Sequence, residues 1–231
     1  MNQTIGTFYA VGVGPGDPEL MTLQAAKLLA RCPVIAAPQT KSGQMLALEI
    51  ARGAVNLDGK EILPLEFSMS REAQVRQERY VAAARQIEAH LNAGQDVAMV
   101  NLGDVSVYAT AYYIFQQIRS DGFAAVMLPG VTSFCAVAAQ LGRSLTTMDL
   151  PLHIIPASGM NLDEALELPG TKVLMKSGSA LENTVRALRQ HGQLEKAAMV
   201  ADCGLPTQKV AENLDDLPKD IGYFATIIVS E

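Results

Sequence analysis

The sequence has few residues of the kinds that form disulfide frameworks and metal sites. Its 231 residues include only three cysteines and three histidines, and both sets are scattered along the chain. No Cys-x-x-Cys pair occurs, and the histidines lack the spacing of metal ligands. The pattern therefore predicts a protein without structural disulfides and without a protein-bound metal.

A basic excess and long apolar runs are missing as well. The net charge is −6, which gives no support for a nucleic-acid partner. The apolar runs have the length of strands and are too short to span a membrane, and the first residues show neither the basic nor the apolar segment of a signal peptide. We therefore expect a cytoplasmic protein, with no nucleic-acid and no membrane partner.

One apolar strand ends in a glycine and a carboxylate. The sequence predicts a strand over 95–101 that runs into Leu102-Gly103-Asp104, with a helix beginning near Ser106 or Ala109. Gly103 lets the backbone approach a ligand closely because it has no Cβ, and Asp104 can accept hydrogen bonds from hydroxyl or ammonium groups. An ordinary strand-to-helix turn, in which Asp104 is only a cap, explains the same residues.

Two further loops have similar chemistry. The strand predicted over 7–13 runs into the glycine-rich and proline-rich segment 12–18, and Pro129-Gly130-Val131-Thr132-Ser133 follows the strand predicted over 124–128. In a parallel sheet the carboxyl ends of the strands lie at one edge, where ligands bind. The three loops together favour a ligand crevice more strongly than any one of them.

The order of the elements predicts an α/β fold with two lobes. Up to Leu128 strands and helices alternate, which is typical of a parallel doubly wound sheet. After Gly142 strands recur with less helix between them, which indicates a mixed sheet. We expect an N-terminal αβ domain over 1–129 and a C-terminal αβ domain over 130–231.

Two kinds of enzyme are disfavoured by local detail. A dinucleotide-binding loop opens directly into a helix, but here Pro15 and Pro18 interrupt the loop, and the next helix is expected from Glu19 to Arg31. A Ser-His-Asp or Cys-His grouping for nucleophilic catalysis is not evident either. A dinucleotide-dependent reductase is therefore a weak alternative.

Taken together, the loops resemble those of the tetrapyrrole methylase family, and the resemblance covers essentially the whole chain in order. It rests on the segments 11–17, 20–22, 102–108 and 129–133. Within that family, the segments 38–43, 47–50, 103–108 and 129–136 are most similar to the precorrin-2 and cobalt-factor II C20-methyltransferases. The loop 37–41 lacks the carboxylate found in relatives that methylate uroporphyrinogen III, which also favours this branch.

The resemblance implies an activity, a cofactor and an assembly. The expected function is S-adenosylmethionine-dependent methylation of carbon 20 of precorrin-2 or cobalt-factor II in cobalamin (vitamin B12) biosynthesis, by a homodimer with the cofactor between its two lobes. A different ring position stays open, as does a methylase of protein side chains similar to the diphthine synthases. The sequence leaves open whether the ring already contains cobalt.

The resemblance also implies the residues of the site. The expected cofactor contacts are Pro15, Leu102, Gly103, Asp104, Val107, Thr132, Ser133, Met175, Cys203, Gly204, Ala225 and Thr226. If a base removes a proton from the ring, Asp104 and Tyr108 are the candidates. If they do not, Asp104 only holds the cofactor and Tyr108 only packs beneath the loop.

The substrate brings many carboxylates to an acidic protein, so a local basic patch is required. Lys41, Arg71 and Lys176 lie near the expected ligand loops and are the candidates for substrate binding. The helix expected over 70–92 also carries Arg76, Arg79 and Arg85. A solvated helix face explains these arginines, and the alternative is that one or two of them face an anionic substrate.

Overall fold

The chain divides into two compact units, Met1–Thr132 and Ser133–Glu231. The computed structural model describes residues 4–67, 72–158, 161–218 and 220–231. The division lies a few residues beyond the boundary at 129/130 that the sequence predicts. Arg71, one of the three candidate substrate ligands, lies outside the described residues.

The N-terminal unit is a five-stranded parallel sheet with helices between successive strands. Its elements are β1 Phe8–Gly12, α1 Leu23–Arg31, β2 Val34–Gln39, α2 Leu46–Ala54, β3 Glu61–Glu66, α3 Ala73–Asn92, β4 Val97–Asn101, α4 Thr110–Ser120 and β5 Ala125–Leu128. The strand order is β3-β2-β4-β1-β5, and every pairing is parallel. The prediction of a parallel doubly wound sheet is confirmed.

Position in this sheet explains the composition of its strands. All five residues of β4 are buried, as expected of an inner strand covered on both faces. Pro64 lies in β3, a strand at the edge of the sheet. Proline is tolerated in an edge strand, because on the outer side no neighbouring strand would accept a hydrogen bond from the N–H that it lacks.

The helix expected over Glu19–Arg31 is interrupted. A short 3₁₀ turn, Pro18–Leu20, precedes α1. Asp17 caps the turn by accepting a hydrogen bond from the Glu19 N–H at 2.8 Å, and Thr22 caps α1 through the Ala25 N–H at 3.1 Å. Because each piece has its own cap, the chain leaves helical geometry between them.

The C-terminal unit is a five-stranded mixed sheet. Its elements are α5 Ser133–Gln140, β6 Leu152–Pro156, α6 Leu162–Glu167, β7 Thr171–Met175, α7 Leu181–Gln190, β8 Ala197–Ala201, β9 Lys209–Ala211 and β10 Ala225–Val229. The order is β6-β7-β10-β8-β9, with β6 and β7 parallel and the other pairs antiparallel. This mixed sheet is the one that the sequence predicts.

In the part of the chain that the structure describes, no helix combines the length and apolarity needed to cross a membrane. The same residues contain no group of three or more His, Cys, Asp or Glu side chains that could hold a metal ion.

The packing of α1 predicts a contrast between two of its leucines. Leu29 is fully buried, whereas Leu23 is 78% exposed. Leu29→Ala should lower the free energy of unfolding by about 2–5 kcal/mol, because it leaves a cavity in the core. Leu23→Ala, on the same helix, should change it by less than about 0.5 kcal/mol. Urea unfolding of both variants measures the difference, and equal losses would contradict this packing of α1.

Candidate functional site

The ends of β1 and β4 are joined by backbone hydrogen bonds beyond the sheet. The Gly103 N–H donates to the Gly14 carbonyl at 2.7 Å, and the Gly14 N–H donates to the Gly103 carbonyl at 3.4 Å. The Val13 N–H donates to the Asn101 carbonyl at 2.9 Å. The glycine-rich loop after β1 is thereby fixed to the loop after β4.

The loop after β5 packs against these two loops at distances that only glycine permits. A Cβ on Gly130 would lie 2.3 Å from the Gly103 carbonyl oxygen, and a Cβ on Gly12 would lie 2.6 Å from the Gly130 nitrogen. Side chains at these positions would force the loops apart. The three loops predicted to share one edge therefore form a single cluster, which we call the glycine cradle (12–17, 101–108 and 129–132).

Gly103, in contrast to Gly12 and Gly130, is not tightly packed against a facing loop. Its φ is +72°, and the nearest heavy atom to a Cβ placed there would be the Val131 carbonyl oxygen at 4.0 Å. Although Gly103 is itself buried, no described heavy atom comes closer than 4.0 Å to that position, which leaves room for a ligand group beside this backbone. This space is consistent with the interpretation that Gly103 lets the backbone approach a ligand closely.

Asp104 connects two of the loops through its side chain. One carboxylate oxygen accepts from the Ser106 N–H at 2.7 Å and from the Ser106 hydroxyl, and the other accepts from the Gly130 N–H at 2.8 Å. The capping interpretation of Asp104 is therefore present in the structure. Because a carboxylate has about four acceptor sites, it retains capacity for one more donor from a ligand.

The electrostatics of Asp104 favour its charged form. Partial burial by itself would raise the pKa of this carboxyl, but hydrogen bonds from the Ser106 hydroxyl, the Gly130 N–H and the Ser106 N–H outweigh it, and the pKa is lowered. A carboxylate held in this way is a weak proton acceptor. The arrangement favours binding and positioning over general-base catalysis.

Tyr108, the second candidate base, has a strained backbone and a neutral side chain. Its φ is +49°, and 46% of the residue is exposed. Burial raises the pKa of its phenol, so the hydroxyl is protonated at neutral pH. In that form it can donate a hydrogen bond to a ligand but is not a base.

Asn101 organises the cradle and was not among the residues predicted from the sequence. It is only 7% exposed, and its Nδ2 donates to the carbonyl of Leu102 at 2.8 Å and to that of Asp104 at 3.3 Å. A polar residue at the end of an otherwise apolar strand was the available signal.

Thr132 leaves a hydrogen-bonding group unused. Its hydroxyl oxygen is buried and has no partner among the described residues. A buried hydroxyl without a partner costs about 1–3 kcal/mol, so a ligand that supplies one would gain affinity. With the buried Pro15 and the half-buried Leu102 and Val107, the cradle offers both the apolar and the polar contacts that an adenosyl and aminoacyl ligand needs.

The expected cofactor residues of the C-terminal unit lie at one edge of its sheet. Met175 ends β7, Cys203 and Gly204 follow β8, and Ala225 and Thr226 begin β10. The start of β10 is held by hydrogen bonds from the Ser177 N–H to the Ala225 carbonyl and from the Asp202 N–H to the Phe224 carbonyl, both at 3.0 Å. Ser133, the remaining one, is the first residue of α5.

Burial restricts the chemistry of two groups at that edge. It raises the pKa of the Cys203 thiol, so this cysteine is not an activated nucleophile. Lys176 follows β7 with a φ of +57°, and burial lowers the pKa of its ammonium group. A non-glycine residue at this φ is uncommon and is found most often where the surrounding structure fixes the backbone.

Lys41 lies at the carboxyl edge of the N-terminal sheet. It follows β2 in an exposed turn, in which the Gly43 N–H donates to the Thr40 carbonyl at 2.9 Å. Lys41 is thus at the same edge of the sheet as the glycine cradle.

The fold is that of an α/β protein in which the loops after β1, β4 and β5 pack together at the carboxyl edge of a parallel sheet. A family model described as tetrapyrrole (corrin/porphyrin) methylases matches residues 7–218. The chain belongs to this family, as its loops indicated.

Individual relatives agree with this membership. The chain is 30% identical to a cobalt-precorrin-2 C(20)-methyltransferase of Salmonella typhimurium, over 98% of this chain and 97% of that protein. It is also 30% identical to a precorrin-4 C(11)-methyltransferase of Rhodococcus erythropolis, over 76% of this chain and 64% of that one. The fold matches a uroporphyrin-III C-methyl transferase from Thermus thermophilus complexed with S-adenyl homocysteine, with a TM-score of 0.70, 21% identity and coverage of 98% and 92%.

The open space at Gly103 predicts an effect on ligand binding that can be separated from backbone strain. Gly103→Ala should lower the affinity for S-adenosylmethionine by about tenfold, or about 1.4 kcal/mol, because a methyl group enters the space used by the ligand. Gly122→Ala is the matched control, since Gly122 also has a positive φ, +92°, and open surroundings and lies at the opposite edge of the sheet. Both variants should lose about 1–2 kcal/mol of stability from strain. Titration calorimetry measures the affinities, and unchanged binding by Gly103→Ala would contradict the cradle.

Asp104 predicts a pH-dependent contribution to stability. The pKa of the Asp104 carboxyl is lowered in the folded state. Its stabilising effect is therefore fully present above the pKa that the same carboxyl has in the unfolded chain, about 3.9. The effect is lost as pH falls through the pKa in the folded state. Asp104→Asn should therefore be less stable than the unsubstituted protein at pH 7, and the difference should shrink below about pH 4. Urea unfolding at a series of pH values measures this. A difference that does not vary with pH would mean that the carboxylate charge does not hold the loops.

Proposed function

We propose that this protein is an S-adenosylmethionine-dependent methyltransferase that methylates carbon 20 of precorrin-2 or cobalt-factor II in cobalamin biosynthesis. The observation that carries the proposal is the glycine cradle, in which open backbone at Gly103 lies close to the ionised Asp104 and the unpartnered hydroxyl of Thr132. Similarity to a cobalt-precorrin-2 C(20)-methyltransferase along the whole chain supports the ring position.

The chemistry requires positioning more than protein nucleophiles. When bound, S-adenosylmethionine supplies an electrophilic methyl group, and the bridging carbon of a reduced macrocycle is already electron-rich. Holding two reactants in line can contribute as much as about 7–11 kcal/mol. The contacts that fix the cradle, from Gly14, Gly103 and Gly130, supply rigidity suited to that task.

We assign the cofactor to the cradle residues Pro15, Leu102, Gly103, Asp104, Val107 and Thr132. We extend the assignment to Ser133, Met175, Cys203, Gly204, Ala225 and Thr226 on the family resemblance. Asp104 is proposed as a ligand and not as a base, because its pKa is lowered. We also propose that the protein acts as a homodimer, as the resemblance implies. From the composition and the spacing of its cysteines and histidines, we propose that it is cytoplasmic and has no protein-bound metal.

A second ring position is the main competing function. A C(11)-methyltransferase is as similar in identity as the C(20) relative, although over less of the chain. Methylation of a protein side chain would retain the cradle and differ in the surfaces that meet the substrate.

Activity with defined substrates tests the proposal. The purified protein should transfer one methyl group from S-adenosylmethionine to metal-free precorrin-2 or to cobalt-factor II, and NMR of the product should locate that group on carbon 20. Comparing the two substrates decides whether cobalt precedes methylation. Methylation at another carbon would support the competing ring position, and methylation of a protein without any tetrapyrrole turnover would overturn the proposal.

A further inference from the structure

A groove of about 250 Å³ lies beside the ends of β2 and β3 in the N-terminal unit. Its polar lining comes from Gln39 at the end of β2, Glu66 at the end of β3, and Arg79 and Gln86 on α3. Pro64 and two alanines of α3 form its apolar wall. The groove combines one cation with amide groups and a short apolar surface.

Of the three arginines on α3, Arg79 is the one that lines this groove. Arg85 lies on a different surface, a groove along α3 that it shares with Glu78, and Arg76 contributes to the electrostatic surroundings of Tyr80. Within the described part of the chain, no ion pair joins Arg79 to Glu66 or to another carboxylate. The guanidinium of Arg79 is therefore available for an external anion.

Two lining residues of the groove, Gln39 and Glu66, lie at the edge of the sheet that carries the glycine cradle. All pairings are parallel, and the order β3-β2-β4-β1-β5 puts the end of β2 next to that of β4. Neighbouring strands are about 4.8 Å apart, so the groove begins roughly one to two strand spacings from the cradle. A cyclic tetrapyrrole is at least as wide as two such spacings and carries its carboxylates at its periphery.

We propose that Arg79 binds a peripheral carboxylate of the tetrapyrrole and so positions the macrocycle for methyl transfer. This inference rests on the proposed function. A planar guanidinium can bind a carboxylate through two parallel hydrogen bonds, and the amides of Gln39 and Gln86 are further donors. Glu66 repels a carboxylate, and Lys41, two residues beyond Gln39 at the same strand end, adds a positive charge at this edge of the sheet.

Kinetics of three variants test the assignment. Arg79→Ala should raise the KM for the tetrapyrrole by about tenfold, because it removes charge-assisted hydrogen bonds to a carboxylate, and should leave the affinity for S-adenosylmethionine within about twofold. Arg79→Lys should recover part of the loss because it restores the charge. Arg85→Ala removes the same charge from the same helix outside the groove and should behave like the unsubstituted protein. The effect of Arg79→Ala should also shrink as salt rises, because screening weakens the lost attraction.

Equilibrium binding of uroporphyrin III, which carries eight carboxylates and needs no turnover, gives an independent result. Weaker binding by Arg79→Ala than by Arg85→Ala supports the subsite, and equal binding overturns it. If the unsubstituted protein methylates no tetrapyrrole but Arg79→Ala still binds uroporphyrin III more weakly than Arg85→Ala, the proposed function fails while the subsite stands. If Arg79→Ala alters the KM for S-adenosylmethionine as strongly as that for the tetrapyrrole, Arg79 is not a substrate ligand.

Discussion

The close packing of backbone at Gly12, Gly103 and Gly130 is the constraint on which the candidate site depends. Strands β4, β1 and β5 are neighbours in the sheet, so their following loops emerge side by side. A Cβ at Gly12 or Gly130 would come within 2.6 Å of backbone atoms of the facing loops. Only without those side chains can the loops join into one rigid surface, and the open side at Gly103 is a consequence of that arrangement.

The cap that Asp104 forms is compatible with the ligand role proposed for it. The same carboxylate closes the turn through Ser106 and reaches across to the loop after β5 through Gly130. These hydrogen bonds keep it ionised, which suits a residue that accepts hydrogen bonds from a cofactor and does not suit one that must take up a proton. Catalysis that relies on orientation is consistent with this lack of an evident base.

Charge is distributed in a way that the net value of −6 does not reveal. Lys41 and Arg79 lie at the carboxyl edge of the parallel sheet, and Lys176 follows β7 in the C-terminal unit. An acidic protein can bind an acidic ligand when its cations are concentrated at the binding surface. Arg79 lines the groove beside the ends of β2 and β3, whereas Arg85 lines another surface of α3. This difference is the reason that Arg79, and not Arg85, is proposed as a substrate ligand.

The order and type of the elements can be predicted from the sequence, because a strand buried on both faces of a parallel sheet is a continuous apolar run and a helix buried on one face has an apolar stripe. The sequence also determined the three loops, since their glycine, proline and carboxylate residues have local conformational requirements. The break at Met21 differs from the single helix expected over 19–31. Its signals are local, since Asp17 caps the 3₁₀ turn and Thr22 caps α1. Leu20 and Leu23, however, have the spacing of one continuous helix, which favours the unbroken interpretation. Three features become visible only in the folded chain: Gly12 and Gly130 are needed for packing between loops, Asn101 and Ser106 fix the cradle, and Arg79 lines a groove. These features depend on distances between segments far apart in the chain, which are set by strand order and not by any local pattern.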